Sequence, residues 1–232
     1  MNTKILSQLF IGAVLLFFLS LGFYKAGIDD GPNVISYINS GGEIQMSVPN
    51  TQQFSSDMPG TWSLGANIPS PGSYEGAGVS YTRNDTTFIY CLNGDVDGSG
   101  TAPGQFRRYN VRTNVWDTLP RCPSGRCWIS GARLGTNIYF VGGLPSGAIG
   151  FSQMTGTLQR YSITTNTWDT MIPAPTPTGA AGVAGYLDNY LYVIGGIGAQ
   201  NLPITNVQIY DQNSGSWIIP NPLPSARANG WV

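Results

Sequence analysis

The sequence predicts an all-β fold built from a four-stranded unit repeated at a period near fifty residues, and three observations predict it. Charged residues make up only 10% of the 232 residues, while Gly 31 and Pro 16 are abundant, a composition that favours strands and tight turns over helices. A short apolar run ending in glycine recurs as IYCLNG (Ile89 to Gly94), IYFVGG (Ile138 to Gly143) and LYVIGG (Leu191 to Gly196), at intervals of 49 and 53 residues. Trp62, Trp116, Trp168 and Trp217 follow one another at 54, 52 and 49 residues, and the last three are each preceded seven residues earlier by Tyr109, Tyr161 and Tyr210.

Taken in chain order, residues 1–26 come first. Twenty uncharged residues with an apolar centre lie between Lys4 and Lys25. That is the layout of a secretory signal, with Ser20, Gly22 and Ala26 as small residues near a cleavage point. The same length suffices for an uncleaved anchor through residues 5–24. Either reading places the remainder on the non-cytoplasmic side, secreted or membrane-anchored. Residues 27–58 read as a linker or irregular segment.

From residue 59 onward the repeats take over. The segments FRRYNVRTNVWDTLP, LQRYSITTNTWDTMIP and VQIYDQNSGSWIIPNPLP each hold a polar turn between Tyr and Trp, so each reads as a hairpin. The stretch before each glycine, such as AGVAGYLDNYLYVIGG, is a second hairpin around a turn such as Asp188-Asn189. Two hairpins per period give four strands, the mark of a β-propeller blade that buries its faces only against neighbouring blades. The count is the tail of one blade, complete blades near 74–119, 126–171 and 180–219, and a final PSARANGWV that begins another. Propellers need roughly four to eight blades. The chain is therefore expected to be an N-terminal fragment of a longer protein or to self-associate.

The Trp-Asp pairs at 116–117 and 168–169 suggest WD repeats, but those recur at about 40 to 45 residues and carry a Gly-His pair. No histidine occurs in the chain. The pattern instead resembles kelch repeats: Gly142-Gly143 with Tyr161 and Trp168, then Gly195-Gly196 with Tyr210 and Trp217. The first blade departs from it with Asn93 before Gly94, followed by Tyr109 and Trp116. The resemblance covers about residues 59–232 and implies a kelch-type propeller. It also implies an extracellular recognition module that binds protein or carbohydrate through its loop face. The alternative it leaves open is part of a secreted carbohydrate-active enzyme, either a sugar-acid epimerase-like or a galactose-oxidase-like propeller domain. Histidine copper ligands of the latter type cannot come from these residues.

Composition removes other chemistries. Without histidine the chain lacks the usual general base near neutral pH, and Ser-His-Asp, Cys-His and histidine-ligated metal sites are excluded within it. Beyond Lys25 there is no lysine, and nine arginines face twelve acids, a net charge of 9 − 12 = −3. A nucleic-acid partner, which needs a basic footprint, is not expected. No cofactor is called for.

The positions that begin each blade's innermost strand are the candidate binding set: Tyr74 and Glu75, Arg126 and Trp128, Ala180, and Arg227 with Trp231. Converging near the axis, Arg126 and Arg227 are expected to hold a carboxylate or sugar hydroxyl in forked hydrogen bonds, or else to bond loop carbonyls within the fold. No catalytic residue and no metal site is assigned. The DVDGSG stretch offers Asp95, Asp97 and Ser99 like half a calcium loop, but Phe106 stands where the closing glutamate belongs, so turn chemistry is the expectation. Cys122 and Cys127 bracket a bend and are a candidate disulfide, while Cys91 is expected to be a buried free thiol. Asn84 opens an NDT sequon.

Overall fold

The computed structural model describes residues 35–38, 44–47 and 64–229. The expected signal or anchor, Trp62 and Trp231 lie outside the described residues. The chain divides into two units, Met1–Ser63 and Leu64–Val232. The described part of the first is a hairpin, β1 (Ile35–Ile38) paired antiparallel with β2 (Ile44–Ser47), within the segment expected to be a linker.

The second unit holds three four-stranded antiparallel blades, each a meander. The first blade runs β3 (Ala77–Arg83), β4 (Thr86–Leu92), β5 (Phe106–Asn110), β6 (Val115–Leu119). A two-residue strand β7 (Arg126–Cys127) leads into the second blade, which contains β8 (Ser130–Leu134), β9 (Asn137–Val141), β11 (Leu158–Ser162) and β12 (Thr167–Met171). Between β9 and β11, β10 (Leu144–Pro145) pairs with β7, and a single 3₁₀ turn covers Phe151–Gln153. The third blade comprises β13 (Gly182–Tyr186), β14 (Tyr190–Ile194), β15 (Val207–Asp211) and β16 (Ser216–Ile218). Among the described residues there is no α-helix.

The IYFV run is apolar throughout because β9 is buried on both faces. Side chains alternate across a strand. Ile138 and Phe140 accordingly pack towards the first blade with Tyr90, Leu92 and Phe106, and Tyr139 and Val141 pack towards the third with Leu191, Val193 and Tyr210. All four are at most 1% exposed. Burying several such side chains at each blade junction, at about 1.5 to 3 kcal/mol apiece, is what holds neighbouring blades together.

Tyr and Trp of each outer hairpin stand directly opposite one another: Tyr109↔Trp116, Tyr161↔Trp168 and Tyr210↔Trp217. The fixed seven-residue spacing is thus a cross-strand pair closed by one turn. In each turn the fifth residue after tyrosine is left-handed: Asn114 at φ 56°, Asn166 at 59°, Gly215 at 68°. Each tryptophan donates its indole N–H backwards, Trp116 to the Ala66 carbonyl, Trp168 to Pro120 and Trp217 to Ile172, at 2.8–2.9 Å. Pro120 and Ile172 follow the outermost strands of the preceding blades. The half-buried tryptophans therefore work as interblade wedges, as their recurrence at the blade period implies.

The glycine pair answers to a close backbone approach. Gly142 and Gly195 sit at φ 71° and 62°, and a methyl group at either would meet the Thr178 carbonyl oxygen at 1.9 Å or that of Arg227 at 2.4 Å. The second glycine of each pair donates its N–H to the same carbonyls, Gly143 to Thr178 and Gly196 to Arg227. These strands are second from the axis, so the crowding comes from the chain leading into the next blade and not from the axis itself.

Candidate functional site

The site is built by the lead-in to each blade. Glu75, Trp128, Ala180 and Asn229 are spaced by 53, 52 and 49 residues, the blade period, and all four are left-handed, with φ of 55°, 60°, 48° and 54°. Trp128 donates its backbone N–H to the Glu75 carbonyl, Ala180 to Trp128, and Asn229 to Ala180, each at 2.9 Å. Equivalent residues of successive blades are thereby chained into an arc about the axis. Non-glycine residues hold such backbone only where their surroundings over-determine it, at about 1–3 kcal/mol each.

The arc borders a cavity of about 510 Å³ whose walls are the first turns of β3, β8 and β13. Small residues such as Gly76, Gly78 and Ala181 line it, and its polar side chains are those of Glu75, Trp128, Ser130 and Asn229. Phe151 meets the Trp128 ring edge-to-face at 5.3 Å and fixes its plane. Burial raises the Glu75 carboxyl above its ordinary range, hydrogen bonding to Cys127 and Trp128 opposes the rise, and the Asp95 charge adds to it. Burial, with the Glu75 and Asp95 charges behind it, pushes the neighbouring Cys127 thiol up to about 11.

The structure divides the sequence-predicted set. Glu75 and Trp128 line the cavity. Arg126 does not: it is 1% exposed, and its guanidinium is taken up by the carbonyls of Gly142 (Nε, 2.7 Å), Ser124 (Nη1, 3.0 Å) and Phe140 (Nη2, 3.4 Å). The reading in which it bonds loop carbonyls is the one observed. Its equivalents two residues before the arc do related work, Thr178 donating to Gly195 O at 3.0 Å and Ser73 accepting from Gly94 N at 2.8 Å. Arg227 is exposed, bonds the Ala226 carbonyl and lies outside the cavity wall, so the expected pair of arginines does not converge. Tyr74 is exposed, lies outside the cavity wall, and donates its backbone N–H to Asp95 O at 2.8 Å. Ser130 and Asn229 are lining residues that sequence reasoning passed over. The match between the 53, 52, 49 spacing and the tryptophan intervals was the signal available for Asn229.

Asp95 and Asp97 serve the turn. Asp95 Oδ1 accepts from the N–H of Asp97 and Gly98, its Oδ2 accepts from Gly100, and Asp97 Oδ1 accepts from Ser99. Cys122 and Cys127 are not bonded to each other: both are buried free thiols, Cys122 among Leu92, Phe106 and Ile129, Cys127 among Leu144, Met154 and Ile197. The bend they bracket turns the two sulfurs into separate clusters. Cys91 is also free but only half-buried.

Against known proteins, the Kelch motif family matches residues 180–224, from the arc residue Ala180 through the third blade's glycine pair, Tyr210 and Trp217. The chain is 26% identical over 208 residues to Kelch-like protein 36 of Bos taurus, covering 89% of this chain and 32% of that protein. It is 31% identical over 176 residues to Kelch-like protein terF of Aspergillus terreus, covering 72% of this chain and 37% of the other. This chain is a kelch-repeat β-propeller protein. Its kelch blades also superpose on the solved structure of YjhT with a TM-score of 0.58 at 16% identity, over 72% of this chain and 57% of that one, a likeness of fold. The kelch chain spans about a third of the length of the curated relatives it matches.

Proposed function

We propose that this kelch chain is an extracellular recognition module that binds a protein or carbohydrate partner across the loop face of its propeller, with the axial cavity as the central contact. The observation that carries the reading is the arc itself. Four equivalent positions hold one strained backbone conformation through main-chain bonds while presenting Glu, Trp, Ala and Asn at the rim of a single cavity. Uniform backbone under dissimilar side chains is how a rigid frame presents a recognition surface. Among the described residues the cavity wall carries one carboxylate, Glu75, and acid–base catalysis calls for a matched acid and base. Kelch-like relatives such as those above support a protein-interaction role, and residues 5–24 support export, as a cleaved signal or an anchor.

The test is an array of glycans and extracellular protein domains run beside a turnover assay on sugar acids. Binding without turnover, lost in Trp128→Ala, is the expected result. Turnover of a sugar acid would favour the enzyme reading instead. Fractionation of cells expressing the full chain checks export: intact protein, N-terminus included, in the soluble cytoplasm would overturn that part.

A further inference from the structure

We infer that the axial cavity takes a cationic group, an ammonium or guanidinium on a short apolar stem, held between the Glu75 carboxylate and the Trp128 indole. The inference rests on the cavity being the recognition site and adds the chemistry of its ligand. Among the described residues the one charged side chain on the cavity wall is the Glu75 carboxylate, with the Asp95 charge near enough to act on it, and no arginine or lysine lines the wall. The arginine of this region, Arg126, is committed to three carbonyls, and Arg227 bonds Ala226 outside the wall. Among the described residues the ion pairs are Arg108 with Asp117, Arg133 with Asp188 and Arg160 with Asp169, so Glu75 has no salt-bridge partner there.

Glu75 is solvent-exposed at the cavity rim and has no counter-ion among the described residues, so its carboxylate is free to accept charge-assisted hydrogen bonds from an incoming cation. Trp128 supplies the second element. An indole face is the best aromatic partner for a cation, and its attraction grows as the pair is shielded from water. Phe151 packs against it in a T-shaped contact, ring centroids 5.3 Å apart, which restrains the indole. The wall formed by Gly76, Ala77, Ala181 and Val183 suits methylenes and offers little to a hydroxyl-rich ring. Asn229, fixed by its backbone bond to Ala180, contributes an amide oxygen on the same rim.

Calorimetric titration of the full chain tests this with butylguanidinium and butylammonium as cations, glucuronate and butyrate as anions, and methyl glucoside as a neutral probe. The cations are expected to bind saturably. Glu75→Gln should weaken them about tenfold or more, Trp128→Leu several-fold, and Asn229→Asp, which adds a second carboxylate to the rim, should tighten them several-fold. Because that last variant predicts a gain, loss of fold cannot imitate it. A blocked tripeptide with a central arginine binding more tightly than butylguanidinium points to a protein side chain as the source, and the reverse order to a free amine. Anionic or neutral probes that bind in a Glu75- and Trp128-dependent way overturn the cationic assignment and leave the cavity a binding site. A chain with an unaltered melting transition that binds none of the probes overturns both.

Discussion

Gly215→Asn should stabilise the protein, and the reason lies in a comparison of the three outer hairpins. In the first, the Tyr109 hydroxyl donates to Asn114 Oδ1, and in the second Tyr161 donates to Asn166 Oδ1. The third places Gly215 at the equivalent position, and the Tyr210 hydroxyl is buried with no hydrogen-bond partner among the described residues. Leaving such a group unsatisfied costs about 1–3 kcal/mol, so restoring the acceptor should recover about 1 kcal/mol net of fixing the new side chain. Asparagine tolerates the left-handed conformation, as Asn114 and Asn166 show at φ 56° and 59° against 68° for Gly215. A Cβ at Gly215 meets no atom nearer than the Tyr210 hydroxyl at 4.0 Å. Thermal and urea unfolding followed by circular dichroism should show the melting temperature rising by about 2–4 °C. Gly215→Ala, with the same backbone cost and no acceptor, should lower stability by about 1 kcal/mol. Tyr210→Phe should be neutral or better in the wild type and costly in the Gly215→Asn background, the coupling that a double-mutant cycle measures. If Gly215→Asn destabilises, or Tyr210→Phe costs as much as Tyr161→Phe, the reasoning fails.

Further outcomes follow from the interblade contacts and the cavity. Trp168→Ala should cost about 2–4 kcal/mol by urea unfolding, because the half-buried ring packs on Phe106 at 4.9 Å and Tyr161 at 5.2 Å and donates to Pro120 O; a cost under about 1 kcal/mol would remove its wedge role. Gly142→Ala should cost at least about 3 kcal/mol, whereas Gly147→Ala, equally left-handed at φ 77° but with open space around it, should cost about 1, and equal effects would mean that the Thr178 carbonyl does not constrain the pair. Cation binding should hold at neutral pH and fall on acidification through the raised Glu75 pKa, above the ordinary glutamate range. Burial pushes Asp95 up, but three backbone N–H donors outweigh it and keep that group ionised to lower pH, and Cys127 at about 11 stays neutral throughout. The raised pKa also means that Glu75 favours the folded state most at low pH, a contribution lost as pH rises through it and absent from Glu75→Gln. Pairs of unfolding curves across about pH 4–8 would reveal it, and parallel slopes would refute it.

The blades were legible in the sequence because each demanding position tolerates few residue types. Tyr–Trp spacing is set by a cross-strand pair, and Gly142 and Gly195 by a carbonyl with no room beside it. Such constraints repeat, and repetition can be read. The cavity was only half legible for the opposite reason. Main-chain bonds define the arc, so Glu75, Trp128, Ala180 and Asn229 share no chemistry that a pattern could reveal. Arg126 illustrates the remaining difficulty. Two residues before Trp128 it looks like a ligand-binding guanidinium, and only three-dimensional placement of Gly142, Ser124 and Phe140 shows that its donors are already committed. The Cys122 and Cys127 pairing failed similarly, since closeness in sequence fixes separation along the chain but not the direction in which each sulfur leaves it.

Division of labour along the arc has an evolutionary consequence. Blade-to-blade continuity at the cavity rim runs through N–H and C=O groups, which every residue except proline supplies in full, so the four rim side chains can be exchanged without cutting that link. Most of the interblade packing then lies in the Trp116, Trp168 and Trp217 wedges and the glycine pairs, while the rim positions Glu75, Trp128, Ala180 and Asn229 carry the variable side chains. A duplicated blade inherits its fit to its neighbours intact and brings one new rim position open to drift. Such a scaffold can change what it recognises one blade at a time, within the residue types that a left-handed backbone tolerates.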